Sequence, residues 1–193
     1  MTWSTLWLHY FCATQGSLRI TGAHKNRYRI AEEFAIKCGL SGVPMSNADQ
    51  ILQSARQRAK EQGVPYAGAL LPAEAHTLIT QMPQAKIVDV RSRAEFDFVG
   101  RIPGSLEIEW KTYPGMQPNA DFLRQLTEQV PKDKTLFFIC RSGGRSHEAA
   151  RAAAAAGYQA YNVLEGFEGD RDENGHRNSI GGWRAAGLPW IQS

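Results

Sequence analysis

The sequence predicts an α/β fold in three layers, α/β/α, built on a five-stranded parallel sheet. Three observations predict it. From residue 66 onward, short apolar runs alternate with helical patterns, as they do where a parallel sheet is covered on both faces. One run, TLFFIC at residues 135–140, is almost wholly apolar, as a central strand buried on both faces must be. The loop that follows it, RSGGRS at 141–146, leads straight into an alanine-rich stretch, so a strand passes through a tight turn into a helix.

In chain order, residues 46–62 read as a helix. Ser46 or Asn47 can cap it, Ile51, Leu52, Ala55 and Ala59 share a face, and Gly63 stops it. Residues 66–71 form a short strand, and Pro72 opens a helix to about residue 80. Residues 85–90, AKIVDV, are a β-branched strand bounded by Pro83 and Arg91. A short helix over 94–99 and a strand over 105–109 follow. A helix over 119–130 has Asn119 as its expected cap and Pro131 as its end. The strand at 135–140 precedes a helix over 146–156 that Gly157 ends, and 158–164 is the last strand.

Composition narrows the function classes. Apolar residues make up 42% and charged residues 21% of 193 residues, values that fit a globular chain with a real core. The net charge is +3 and the basic residues are dispersed, which gives no footprint for a nucleic-acid partner. No apolar run approaches the ~20 residues of a membrane span, so no membrane partner is expected. Cys12, Cys38 and Cys140 lack metal-site spacing and are too sparse for a disulfide scaffold, which makes a reducing cytoplasm the expected compartment.

Three regions are expected: an extension over 1–44, a helical lead-in over 45–65 and the α/β domain over 66–193. The extension holds Arg19, Lys25, Arg27, Arg29 and Lys37 against Glu32 and Glu33, so the whole net charge resides there. It has no sustained period, and its apolar start is broken by His9 and Tyr10, unlike a secretory signal. An upstream mis-start before Met45, a disordered arm and an ordinary variable extension remain open readings.

The chemistry is expected at residues 140–146. Cys140 ends a buried strand, where open α/β sheets place ligand sites. Gly143 and Gly144 permit the sharp turn, and successive amides there can form an anion nest in front of a helix N-terminus. Arg141 and Arg145 add two positive charges. Such settings lower a thiol pKa from ~8.5 to ~3.5–7.5, so Cys140 is expected to be largely thiolate at neutral pH and partly exposed. The same nest suits an anionic persulfide, and the arginines can hold a donor's oxyanion by forked hydrogen bonds. Ser142 and Ser146 complete the candidate binding residues, with Ser146 also a candidate helix cap. His147 reads as a first-turn residue facing away rather than as a general base.

At this point the chain resembles the rhodanese-like sulfurtransferases over about residues 66–190. The loop from Cys140 to Ser146 looks like that family's active-site loop. Asp89-Val90-Arg91, Glu95-Phe96, the stretch 100–105 reading GRIPGS, NVLEG at 162–166, and Gly182-Trp183 with Gly187-Leu188-Pro189 resemble its other motifs in order. The resemblance implies that Cys140 carries sulfane sulfur from a small-molecule donor such as thiosulfate to a thiol or cyanide, without metal or organic cofactor. Arg101 stands where the family has histidine and receives no role. Asp89 and Arg91 are expected to be a structural pair. Trp110 and Tyr113 either wall the pocket or serve packing. The polar stretch 168–178 either is a solvated loop or covers the site. A persulfide carrier or binding module serving a protein acceptor is the alternative. A phosphatase or arsenate reductase is a weaker one, because similar phosphatases use Cys-x5-Arg whereas Cys140 and Arg145 are spaced Cys-x4-Arg.

Overall fold

The computed structural model describes residues 45–192. The extension, with Cys12 and Cys38, lies outside them. Helix α1 (Asn47–Glu61) is capped by Ser46, whose Oγ accepts the Asp49 N–H at 3.1 Å. Strand β1 (Gly68–Leu70) and α2 (Pro72–Gln81) follow, then β2 (Ala85–Asp89), α3 (Arg93–Val99) and β3 (Leu106–Glu107). The hairpin β4 (Lys111–Thr112) and β5 (Gln117–Pro118) precedes α4 (Phe122–Gln129), β6 (Thr135–Ile139), α5 (Gly144–Ala155) and β7 (Gln159–Val163).

The five main strands form one sheet in the order β1-β7-β6-β2-β3, with every neighbouring pair parallel. Strand β6 is central and fully buried because its side chains feed two cores. Leu136, Phe138 and the following Cys140 pack with Phe122, Leu126, Ala149, Ala150 and Ala153 of α4 and α5. Phe137 and Ile139 point to the opposite face, among Leu52, Ala55, Ala75 and Leu78 of α1 and α2. The period-two alternation of a strand thus divides one apolar run between two helical layers. Helix α1 lies close on the sheet: a Cβ on Gly68 would meet the Tyr161 ring at 2.5 Å and the Ala55 backbone at 3.1 Å.

Two local expectations are corrected, and one hairpin is added that the sequence pattern did not show. Helix α4 starts after Asp121, not at Asn119, because the Asn119 side chain is used in a turn. Its Oδ1 accepts the Asp121 N–H and its Nδ2 donates to the Glu109 carbonyl. Helix α5 begins at Gly144, two residues early, so Ser146 is not its cap. The stretch after β3 contains the β4–β5 hairpin, too short and polar to carry a strand pattern.

Candidate active site

The loop after β6 turns on Gly143, which holds φ +94° and caps α5. Gly144 takes no left-handed angle; it is the first helical residue. This places Ser146 inside the first turn, fully buried, with Oγ 3.0 Å from the Gly143 carbonyl and 3.4 Å from Cys140 Sγ. A hydroxyl has a single proton, so these two acceptors share it. The contact sets the sulfur beside the N-terminal turn of a twelve-residue helix. Among the described residues, none of the backbone N–H groups of residues 141–146 donates to a protein backbone or side-chain acceptor. Such orphan donors at a helix start are available to an anion.

Cys140 is 2% exposed, so the expectation of a partly exposed thiol is corrected. The reason is its place in the strand: it continues the alternation of β6 into the α4–α5 core.

The two arginines of the loop differ. Arg145 forms a forked ion pair with Glu95, its Nη1 and Nη2 donating at 2.7 and 2.6 Å to the two carboxylate oxygens. Its guanidinium is therefore engaged, not free for a donor. Glu95 also accepts from the N–H and Oγ–H of Ser92, both at 2.9 Å, across the start of α3. Burial alone would raise the Glu95 carboxyl, but the hydrogen bonds from Arg145 and Ser92 and the guanidinium charge outweigh it and hold its pKa at about 2. Burial works to lower the Arg145 pKa; the Glu95 hydrogen bonds and charge, then the charges of Cys140 and Asp89, raise it on balance. Arg141 is exposed and makes no ion pair with any described residue.

Segment 164–169 braces the loop from outside. Phe167 N–H donates to the Cys140 carbonyl at 2.7 Å and Glu168 N–H to the Arg141 carbonyl at 2.9 Å. Only glycine fits at 166: with φ +65°, a Cβ there would lie 2.5 Å from the Cys140 carbonyl oxygen. Beyond it, Asp172 folds the polar stretch on itself by accepting from Asn174 N–H, His176 N–H and Ser179 Oγ–H.

Other candidates settle by contact. Asp89 and Arg91 are both fully buried and share a forked pair, with Arg91 Nη2 also donating to the Gly100 carbonyl at 2.8 Å. The Arg91 guanidinium lies 4.0 Å from the Phe167 ring centroid, so the pair ties β2 to the brace. His147 Nδ1 is 2.9 Å from Tyr66 Oη, away from the sulfur. Trp110 meets Phe122 edge-on at 4.9 Å and joins the core, while Tyr113 is exposed on the hairpin. Sequence reasoning missed the role of Glu95. Its Ser-x-x-Glu spacing from Ser92 signals a capping box, but nothing local points to Arg145, fifty residues on.

Residues 71–173 match the family described as Rhodanese-like domain. A crystal structure of Rv0390 from M. tuberculosis is similar at 43% identity and a TM-score of 0.62, covering 66% of this chain and 99% of that one. An uncharacterized protein of Rickettsia prowazekii, RP600, is 34% identical over 61% of this chain and 91% of its own length. The thiosulfate:glutathione sulfurtransferase of Saccharomyces cerevisiae is 32% identical over 46% of this chain and 65% of its own length.

Proposed function

This chain belongs to the family of rhodanese-like domains, and on that premise we propose that it is a sulfurtransferase with Cys140 as its sulfur-carrying nucleophile. One observation carries the reading: the Cys140 sulfur sits beside the first turn of α5 within a loop whose six amides, residues 141–146, have no acceptor among the described residues.

The Cys140 thiolate attacks the outer sulfur of a donor such as thiosulfate. A new S–S bond forms, the donor S–S bond breaks, and its electron pair leaves with sulfite. The enzyme persulfide, an anion, is held by the loop amides and the positive end of α5. A thiolate or cyanide then attacks the outer sulfur, giving a persulfide or thiocyanate and restoring the Cys140 thiolate. Burial of the thiol fits this division. An S–S bond of about 2.05 Å carries the reactive atom outward from the core, so the outer sulfur of the persulfide is more accessible than the Cys140 sulfur that bears it. Arg141, exposed and without an ion-pair partner among the described residues, guides the anionic donor. Arg145, Ser142, Gly143, Gly144 and Ser146 shape the cradle. The name of the yeast relative supports a thiol as acceptor.

A phosphatase reading is disfavoured because Arg145 is forked onto Glu95 instead of being free for a phosphoryl group. A thiosulfate:cyanide assay of wild type and Cys140→Ser tests the proposal, with phosphatase turnover measured on the same samples. Thiocyanate production that depends on Cys140 is expected; equal production by both proteins would falsify the reading. Persulfide formation without cyanide turnover would indicate a carrier for a protein acceptor.

A further inference from the structure

Resting on the persulfide reading, we propose that Glu95 sets the charge selectivity of the donor site. By neutralising Arg145 it leaves Arg141 as the one cation of the loop with no ion-pair partner among the described residues. The site therefore favours sulfane donors bearing one negative charge, such as thiosulfonates, over the dianion thiosulfate.

The side chains of Glu95 and Arg145 are 17% and 13% exposed. Their charges are thus poorly screened toward the loop. With the attacking Cys140 thiolate counted, Arg141, Arg145, Glu95 and Cys140 together carry no net formal charge. A monoanion therefore brings one unmet charge into a partly desolvated site and a dianion brings two, so the dianion is the more penalised. The pair is persistent: Ser92 holds Glu95 by two hydrogen bonds independently of Arg145, and the carboxylate stays ionised throughout the neutral range. A second acidic residue, Glu168, follows the loop closely through its N–H to the Arg141 carbonyl. This is a specificity role; Glu95 donates no proton and forms no bond in the reaction.

The probe pair is thiosulfate and methanethiosulfonate. Both present an outer sulfur on an oxidised sulfur. Attack by the Cys140 thiolate on methanethiosulfonate forms the enzyme persulfide and releases methanesulfinate, as attack on thiosulfate releases sulfite. Steady-state KM and kcat are measured with both donors for wild type, Glu95→Gln and the double variant Glu95→Gln/Arg145→Gln. In Glu95→Gln the loop gains one unit of positive charge, and the thiosulfate KM is expected to fall about fivefold relative to that of methanethiosulfonate. The double variant restores the original charge and returns the ratio to the wild-type value, which a merely structural effect would not do. An unmoved ratio in Glu95→Gln, or a shift that persists in the double variant, overturns the proposal. If Glu95→Gln does not fold, Arg141→Gln decides. It must weaken thiosulfate about fivefold more than methanethiosulfonate, and equal losses overturn the proposal. Failure of the underlying reading looks different, since Cys140→Ser would then transfer sulfur from both donors.

Discussion

At the scale of single residues, Cys140 is prepared by neighbours with separate duties. Ser146 reaches the sulfur, Arg141 faces solvent, and Arg145 is bound to Glu95. The last pair has a consequence for stability. The folded Glu95 pKa, about 2, lies below its ordinary 4.5. The unfolded chain therefore binds a proton first as pH falls, and the pair's contribution is full above about pH 4.5 and lost as pH drops through about 2. Glu95→Gln should cost on the order of 2–3 kcal/mol at pH 7, after allowance for solvent screening. The difference from wild type should vanish towards pH 2. Urea unfolding of both proteins across that range checks it; a constant difference would contradict the linkage. The sequence made Cys140 and its loop legible because glycines, arginines and a strand end lie within seven consecutive residues. It could not show which arginine is free, since the partner of Arg145 comes from another strand–helix unit. Nor did it show the burial of the thiol, which depends on the layer that β6 faces.

At the scale of elements, the loop between β6 and α5 takes its shape from the segment after β7 as well as from its own glycines. The amides of Phe167 and Glu168 hold the carbonyls of Cys140 and Arg141, and Gly166 allows that approach. Gly166→Ala is expected to destabilise the protein by about 2–4 kcal/mol, from left-handed backbone strain and a backbone clash together. Sulfur transfer measured well below the melting temperature should fall at least tenfold. Full activity in a folded Gly166→Ala protein would contradict the role of the brace. Element types were readable from apolar runs, Pro72, Gly157 and the alanine-rich stretch. Starts were less so: Asn119 and Ser146 both look like caps, yet each spends its side chain on another nearby group.

At the scale of the whole molecule, one strand divides two cores, and the site sits where that strand ends. The five strands were legible as short runs between helical patterns, most clearly β6, which is nearly all apolar and buried throughout. Their order, with β6 and β7 threaded between β1 and β2, was not, because no local pattern encodes which strands become neighbours. Helix α1 is part of this body through Leu52 and Ala55. Leu52→Ala is expected to lower stability by about 2–3 kcal/mol without moving donor KM. An unchanged melting temperature would show that α1 is not packed as described.

The central claim, that Cys140 carries the transferred sulfur, is tested most directly by intact mass and peptide mapping after treatment with a sulfane donor. A gain of about 32 Da, one sulfur atom, confined to the peptide containing Cys140 and discharged by a thiol, is the predicted result. No gain on that peptide while sulfur transfer continues would contradict the account.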